Sequence, residues 1–230
     1  ISTTTNVVRV RRSNDQAEQD FTAAEITDGT LTTWTGANDG FITTWYDQSG
    51  NSNNISSATA IYQPTIVLNG VLNEDNGHPY IYYTGSNQYG LSVSGLLSQT
   101  VNVWSTYYGL SSQVRHNILN QNGSSFAGLI QQGSGSSADA QMSSIAYFKN
   151  NQSIVNTRND LYNQLQIDDW TLVRMENCLL NLGIIRPHAF DSFQNYFNGA
   201  CRVNEFILYS TSQTDIQGIE TNINTEYTIY

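Results

Sequence analysis

The sequence predicts an all-β fold, an antiparallel sandwich or barrel, and three observations carry that prediction. Short runs rich in β-branched and aromatic residues recur along the chain. Turn dipeptides separate them. No helical pattern alternates with them before the C-terminus, which argues against a parallel sheet.

Val7 to Arg11 opens the series, followed by Phe41 to Tyr46, Thr65 to Leu68 and Tyr80 to Tyr83. Val101 to Tyr108, Phe126 to Ile130 and Ile145 to Phe148 form a middle group, and Trp170 to Met175, Leu179 to Ile185 and Val203 to Tyr209 the last. The punctuation at Asn69-Gly70, Asn76-Gly77, Gly85-Ser86-Asn87 and Asn122-Gly123 has a mechanism, since Asn and Gly tolerate the left-handed backbone that tight reversals need. Only the end departs from this pattern. From Thr214 onward, Ile216, Ile219, Ile223 and Tyr227 recur at helical spacing. Ser212 precedes Asp215 by three residues, a capping-box-like start. A helix over about 213–228, lying on the sandwich, is expected.

A chain of 230 residues fits one large sandwich spanning 1–230. At that size roughly 70% of the unfolded surface is buried on folding, so no metal or disulfide staple is needed. The 14 Tyr, 8 Phe and 4 Trp supply core material, which excludes a disordered chain. The stretch QQGSGSSADA at 131–140 is loop-like but carries neither the length nor the charge run of a linker. A chain that opens on Ile1 reads as a processed piece of a longer polypeptide. The net charge of −10, with Lys149 as the sole lysine, repels phosphate backbones, so nucleic acid is not an expected partner. No apolar run reaches membrane-spanning length, and membrane insertion is not expected. Cys178 and Cys201 are either two buried thiols or one disulfide. Asn54, Asn122 and Asn151 match the glycosylation acceptor pattern, which matters only in a eukaryotic host.

Three stretches together carry a family resemblance: VRVRRSND at 8–15 with Ala17 to Asp20, GFITTWYDQSGN at 40–51, and EFILY at 205–209 with IETNINTEY at 219–227. The set resembles concanavalin A-like (laminin G-like) jelly-roll modules of phage and viral tail, fibre and surface proteins. The YDQSGN words are also similar to the catalytic domain of fungal-type α-L-arabinofuranosidases. The resemblance implies a jelly-roll sandwich, a virion-surface or extracellular location, and glycans or other appendage subunits as partners, with a homo-oligomer compatible with either. In such modules a further segment usually precedes the VRVRR strand, and the resemblance leads us to expect this chain without it.

In WYDQSGNSNN at 45–54, Asp47, Asn51 and Asn53 offer the oxygen ligands that Ca²⁺ requires, without the EF-hand glycine and terminal Glu in register. The alternative is a turn in which Asp47, Gly50 and Asn51 hold the connection after a strand by side-chain bonds to backbone N–H groups. A direct sugar contact is the third reading. Glu176 lies in a Met-Glu-Asn context like that of the arabinofuranosidase nucleophile, but the segment Leu182-Gly183-Ile184-Ile185-Arg186-Pro187-His188 offers no acid where the enzymes carry theirs. The histidines His78, His116 and His188 stand far apart in sequence, and neither they nor the cysteines show zinc spacing. No nucleophile elbow or phosphate loop is present. Strand alternation puts some rings on an outer face, and Tyr83, Tyr108, Trp104 and Tyr89 are the expected sugar-stacking residues. Arg9, Arg11 and Arg12 are expected to pair with Asp15, Glu18 and Asp20. The reading is a non-catalytic surface module with glycan recognition as its activity. Its rivals are a purely structural capsid or fibre module and an arabinofuranosidase-like hydrolase.

Overall fold

The computed structural model describes residues 4–84, 90–96, 99–112, 115–121, 125–131, 145–155, 157–180, 183–188, 200–211 and 215–230. The N-terminal half contains β1 (Asn6–Arg12), β2 (Glu18–Thr22), α1 (Ala23–Thr27), α2 (Thr30–Thr35), β3 (Gly40–Trp45), β4 (Ile55–Ser56), β5 (Thr65–Leu68), β6 (Val71–Leu72), β7 (Glu74–Asp75), β8 (His78–Pro79) and β9 (Ile81–Tyr83). The second half contains β10 (Val93–Leu96), β11 (Gln99–Gly109), β12 (Arg115–Gln121), β13 (Ser125–Gln131), β14 (Ala146–Lys149), β15 (Gln152–Ile154), α3 (Arg158–Leu165), β16 (Trp170–Leu180), β17 (Gly183–Pro187), β18 (Cys201–Ser210) and α4 (Ile216–Tyr227).

The strands form an antiparallel sandwich. A 12-stranded sheet runs β15-β14-β16-β11-β18-β9-β5-β3-β1-β2, with β4 on β3 and β6 on β5. A 4-stranded sheet, β10-β17-β12-β13, faces it, and β7 and β8 make a separate hairpin. One apolar cluster joins both sheets, from Val8, Val10 and Ile42 through Val101, Val103 and Tyr107 to Ile118 and Leu119. Strand β11 shows why the sheet is covered twice. Its residues alternate, so Val101, Val103, Ser105 and Tyr107 share one face and Trp104 takes the other. The first face packs against the small sheet, and Trp104 joins Leu172, Ile207 and Ile223 beneath α4. Opposite Thr106 the register of β18 shifts, and the Thr106 hydroxyl accepts from the N–H groups of both Asn204 (3.1 Å) and Glu205 (2.7 Å). That buried hydroxyl satisfies the donors that the bulge frees.

Several elements follow the sequence expectation. Thr65 to Leu68 is β5 without change. Asn69-Gly70 and Asn76-Gly77 have φ of 51° and 78°, and 52° and 82°, the left-handed pairs of type I′ hairpin turns. A side chain at position 70 would also stand 2.4 Å from the Gly36 carbonyl. The turn signals at 85–87 and at 122–123 lie outside the described residues.

Other elements differ. Trp170 to Met175 and Leu179 to Ile185, expected as two strands, are instead the 11-residue β16 and then β17. Asn177 at φ 63° and a register shift against Val101–Val103 carry β16 past the break. Strands β2 and β12 and helices α1, α2 and α3 were not expected. Helix α1 is set by a capping box, in which the Thr22 hydroxyl accepts from Glu25 N–H and the Glu25 carboxylate accepts from Thr22 N–H. Helix α3 is capped by Thr157 and buries only Leu161 and Leu165, too sparse an apolar stripe to read as a period. It closes on Gly109, where a Cβ would meet the Leu165 carbonyl at 2.2 Å.

The cysteines are free thiols, both buried. Cys178 pairs with Val101 and Cys201 with Gly109, at opposite ends of β11, which rules out a disulfide between them. Arg9 makes a bidentate pair with Asp20 and Arg12 pairs with Asp15, as expected, whereas Arg11 turns to Gln63 and Gln16.

Helix α4 lies on the outer face of the large sheet and runs from Ile216 to Tyr227, within the expected span of about 213–228. Its cap is Asp215, whose carboxylate accepts from Gly218 N–H at 3.0 Å; Ser212 lies outside the described residues. Ile216, Ile219, Ile223 and Tyr227 all pack on the Trp104 cluster. Ile223→Ala should therefore destabilise by about 2–4 kcal/mol. A urea melt in which the midpoint does not move would show that α4 is not seated on the sheet.

Candidate functional site

The loop after β3 is built as a turn. Asp47 Oδ1 accepts from Ser49 N–H at 2.8 Å, and Oδ2 accepts from the Ser49 hydroxyl at 2.8 Å and from Asn53 N–H at 2.9 Å. Asn54 closes the loop by accepting from Asp47 N–H at 2.8 Å. Gly50 takes φ 83°, which suits glycine, and Asn51 donates to the Ser49 hydroxyl oxygen. Burial pushes the Asp47 pKa up, but the hydrogen bonds from Ser49, Asn53 and Asn51 outweigh it and hold the carboxyl below its ordinary value. Both carboxylate oxygens thus serve the loop's own donors, and a calcium ion would have to displace them.

Glu176 lies on β16 and is engaged. Its carboxylate stands 3.0 Å from Arg174 Nε, and the Arg174 Nη1 group donates to Glu220 of α4. The Arg174 guanidinium stacks on Phe148, 3.8 Å from the ring centroid. Arg174 and Glu220 are buried, and desolvation pushes the Glu220 carboxyl up against the opposing pull of Arg174. The second carboxyl group near Glu176 is therefore one locked under a helix on the same arginine.

The four tyrosine and tryptophan candidates separate. Trp104 is fully buried under α4, and Tyr83 is 7% exposed on the inner face, so neither ring offers a stacking surface. Tyr89 lies outside the described residues. Tyr108 is half-buried on the outer face and belongs to an aromatic patch that sequence reading did not assemble. Trp170 lies edge-on to Tyr108 at 5.5 Å and tilted to Tyr80 at 6.1 Å. The Arg202 guanidinium sits over both tyrosines, 4.5 Å from Tyr108 and 5.0 Å from Tyr80. Asp75 accepts from Trp170 Nε1 at 3.0 Å and stands 3.5 Å from Arg202. The Tyr108 hydroxyl is raised by burial, is pulled down by Arg202, and feels Asp168, Asp75 and Asp169. Asp168 itself accepts from the Ser111 N–H and hydroxyl. Four segments far apart in sequence meet here, at 75–80, 108–111, 168–170 and 202, and only Tyr108 could be anticipated.

A cleft of about 530 Å³ opens beside the 45–54 loop. Val7, Val93, Leu96, Val101 and Phe206 line it with apolar surface, while Gln48, Ser49, Asn51 and Asn53 give it a polar edge. Its volume falls within the range of small-ligand sites.

The histidines are not all scattered. Between the sheets, His188 at the end of β17 meets His116 of β12, with 3.1 Å between His116 Nε2 and His188 Nδ1. His188 Nε2 stands 2.8 Å from the Ser105 hydroxyl of β11. Tyr107 stacks on both rings, and Tyr83 and Cys201 lie alongside. Desolvation, then His116, pushes the His188 pKa well down, and burial pushes the Cys201 thiol well up. Both groups are held neutral. No spacing rule could find this cluster, because its members come from different strands of two sheets.

No family model matches the sequence, and no curated protein does. Two solved structures match with TM-scores of 0.53 and 0.52. One is a glutamate-to-glutamine mutant of a GH54 α-L-arabinofuranosidase soaked with 4-nitrophenyl α-L-arabinofuranoside, at 13% identity. The other is a GH54 α-L-arabinofuranosidase soaked with a cyclic sulfate inhibitor, at 12% identity. Each alignment covers 96% of this chain and 59% of the other, so the chain spans well under two thirds of those enzymes. At such identity the likeness is one of fold, the antiparallel β-sandwich.

Two outcomes follow from these geometries. Asp47→Ala removes three accepted hydrogen bonds at a partly exposed loop and should cost about 1–2 kcal/mol in a denaturant melt, while added Ca²⁺ should leave the wild-type melting temperature unchanged. Arg174→Met strands the Glu220 carboxylate and should cost about 3–5 kcal/mol near neutrality. The folded-state pKa of Glu220 is already raised. Without Arg174 it rises further, and below that raised value the stranded group takes up a proton, so the loss should shrink as the pH falls. A pH-independent loss would show that Glu220 is not the group left uncompensated.

Proposed function

We propose that this chain is a non-catalytic glycan-recognition module on the surface of a virion or phage appendage, with its sugar site at the Tyr108 patch. The observation that carries the binding site is the meeting of Tyr80, Tyr108 and Trp170 with Arg202 and Asp75 on the outer face of the large sheet. Sugar C–H faces stack on aromatic rings, and sugar hydroxyls pair with charged donors and acceptors that are themselves fixed. Here the arginine and the aspartate hold each other and the rings in place, so little order is lost on binding. The patch is shallow, and affinity per sugar is correspondingly weak. The viral setting rests on the sequence resemblance alone.

The hydrolase reading has less support. A retaining glycosidase needs two carboxyl groups about 5 Å apart around the scissile bond. Glu176 is paired to Arg174, and its neighbouring carboxyl, Glu220, is enclosed under α4.

A glycan array should give weak hits, and Tyr108→Ala or Trp170→Ala should reduce binding to them roughly tenfold. The purified chain should release no arabinose from aryl arabinofuranosides. An array without hits, together with co-purification of capsid or fibre subunits, would replace this reading with a purely structural one. Turnover that disappears in Glu176→Gln would replace it with an enzymatic one.

A further inference from the structure

We propose that His116, His188 and Cys201 form a buried transition-metal site, and that its ion is Zn²⁺. Their ligand atoms lie within 4.8 Å of one another between the two sheets. Two nitrogens on one tetrahedral zinc stand about 3.3 Å apart, and a nitrogen and a thiolate sulfur about 3.6 Å. His116 Nε2 and His188 Nδ1 stand 3.1 Å apart, near that spacing, and the two hydrogen-bonded rings need only turn for both lone pairs to converge on an ion, while Cys201 Sγ, within 4.8 Å of them, has to close by at most about an ångström.

The surroundings fix the donor atom. The Ser105 hydroxyl stands 3.4 Å from the Thr106 carbonyl oxygen and 2.8 Å from His188 Nε2. A hydroxyl that donates to the carbonyl accepts from the imidazole, which puts the His188 proton on Nε2. Nδ1 then carries its lone pair toward His116 and the site. This is the outer-shell bond that metal-bound histidines commonly make. Tyr83 adds an independent sign. It lies directly opposite Cys201 in the β9–β18 ladder, it is buried, and its hydroxyl has no hydrogen-bond partner. A polar group left unsatisfied in a core is costly, and an ion with its bound water beside Cys201 would give it a partner.

The proton balance is simple. The ion displaces the Cys201 thiol proton to solvent. The His116 proton that bridges to His188 moves from Nε2 to Nδ1. One proton leaves per ion bound, and the thiolate cuts the charge that the ion brings into the core from +2 to +1. The donor set of two imidazoles and a thiolate selects zinc, cobalt or copper over magnesium and calcium. Because His116, His188 and Cys201 are at most 3% exposed, the ion enters as the sheets close, not through an open mouth.

The test is to refold the full chain with Zn²⁺, Co²⁺, Ca²⁺ or no metal. One ion of Zn²⁺ or Co²⁺ should be retained per chain after desalting, with a higher melting temperature, and Ca²⁺ should do neither. The Co²⁺ form should show a thiolate-to-cobalt charge-transfer band with tetrahedral d–d absorption. Cys201→Ser should lose the charge-transfer band, and Cys178→Ser should keep it. Ser105→Ala should weaken binding about 10–100-fold. Metal-free melts of each variant show separately whether it folds. If wild type retains no ion and melts alike with and without Zn²⁺, or if the band follows Cys178, the proposal fails and the histidines are a hydrogen-bonded core pair.

Discussion

The two-sided burial of β11 is the constraint on which the rest of the structure depends. This 11-residue strand pairs with β16 on one edge and β18 on the other. A strand buried on both faces cannot alternate apolar and polar residues, and this one carries Val101, Val103, Ser105 and Tyr107 on one side with Asn102, Trp104 and Thr106 on the other. Each face then demands a cover. The inner face draws the small sheet and α3 onto it, and the outer face draws α4. Were Trp104 a small polar residue, the C-terminal segment would lose the largest side chain it seats against and keep only Leu172 and Ile207 of the sheet.

The same alternation sorts the polar chemistry. Arg174 on β16 is in register with Trp104 and so shares the helix side, where Glu220 meets it. Ser105 points the other way and meets His188. Apolar sandwich faces tolerate small slides at little cost, because dispersion contacts are numerous and non-directional. An ion pair and a chain of hydrogen bonds do not, since a shift by one residue would bury each group without its partner. The two polar clusters therefore set the register of both covers on β11.

What the sequence disclosed follows the range over which each signal acts. Thr65 to Leu68 and the Asn-Gly turns are decided by neighbours within four residues, and they stand where local chemistry puts them. Helix α4 was legible because its four apolar positions repeat at helical spacing, although its cap is Asp215 rather than the box expected from Ser212. Helix α3 was not, since its stability comes from Leu161 and Leu165 docking into a core that the sequence does not display. The break expected after Met175 was an error of the same kind. Asn177 adopts φ 63° inside a paired strand because both β11 and the bulge hold it there, and local propensity alone would end the strand.

The sites were harder still, because they depend on which face a residue takes. Tyr83, Tyr107 and Tyr108 are alike in composition, yet the pleat turns the first two inward and the third outward. A one-residue change in the register of β9 or β11 would exchange those roles, so no count of aromatics can tell a stacking platform from a core. The loop at 45–54 shows the converse. Its Asp, Ser and Asn residues look like a ligand set in one dimension, and in three dimensions the same oxygens are already taken by Ser49 and Asn53. Donor-rich loops spend their oxygens on their own backbone before any cation arrives. The histidines between the sheets spend theirs on side chains instead, on one another and on Ser105, and this brings their ring nitrogens together beside Cys201.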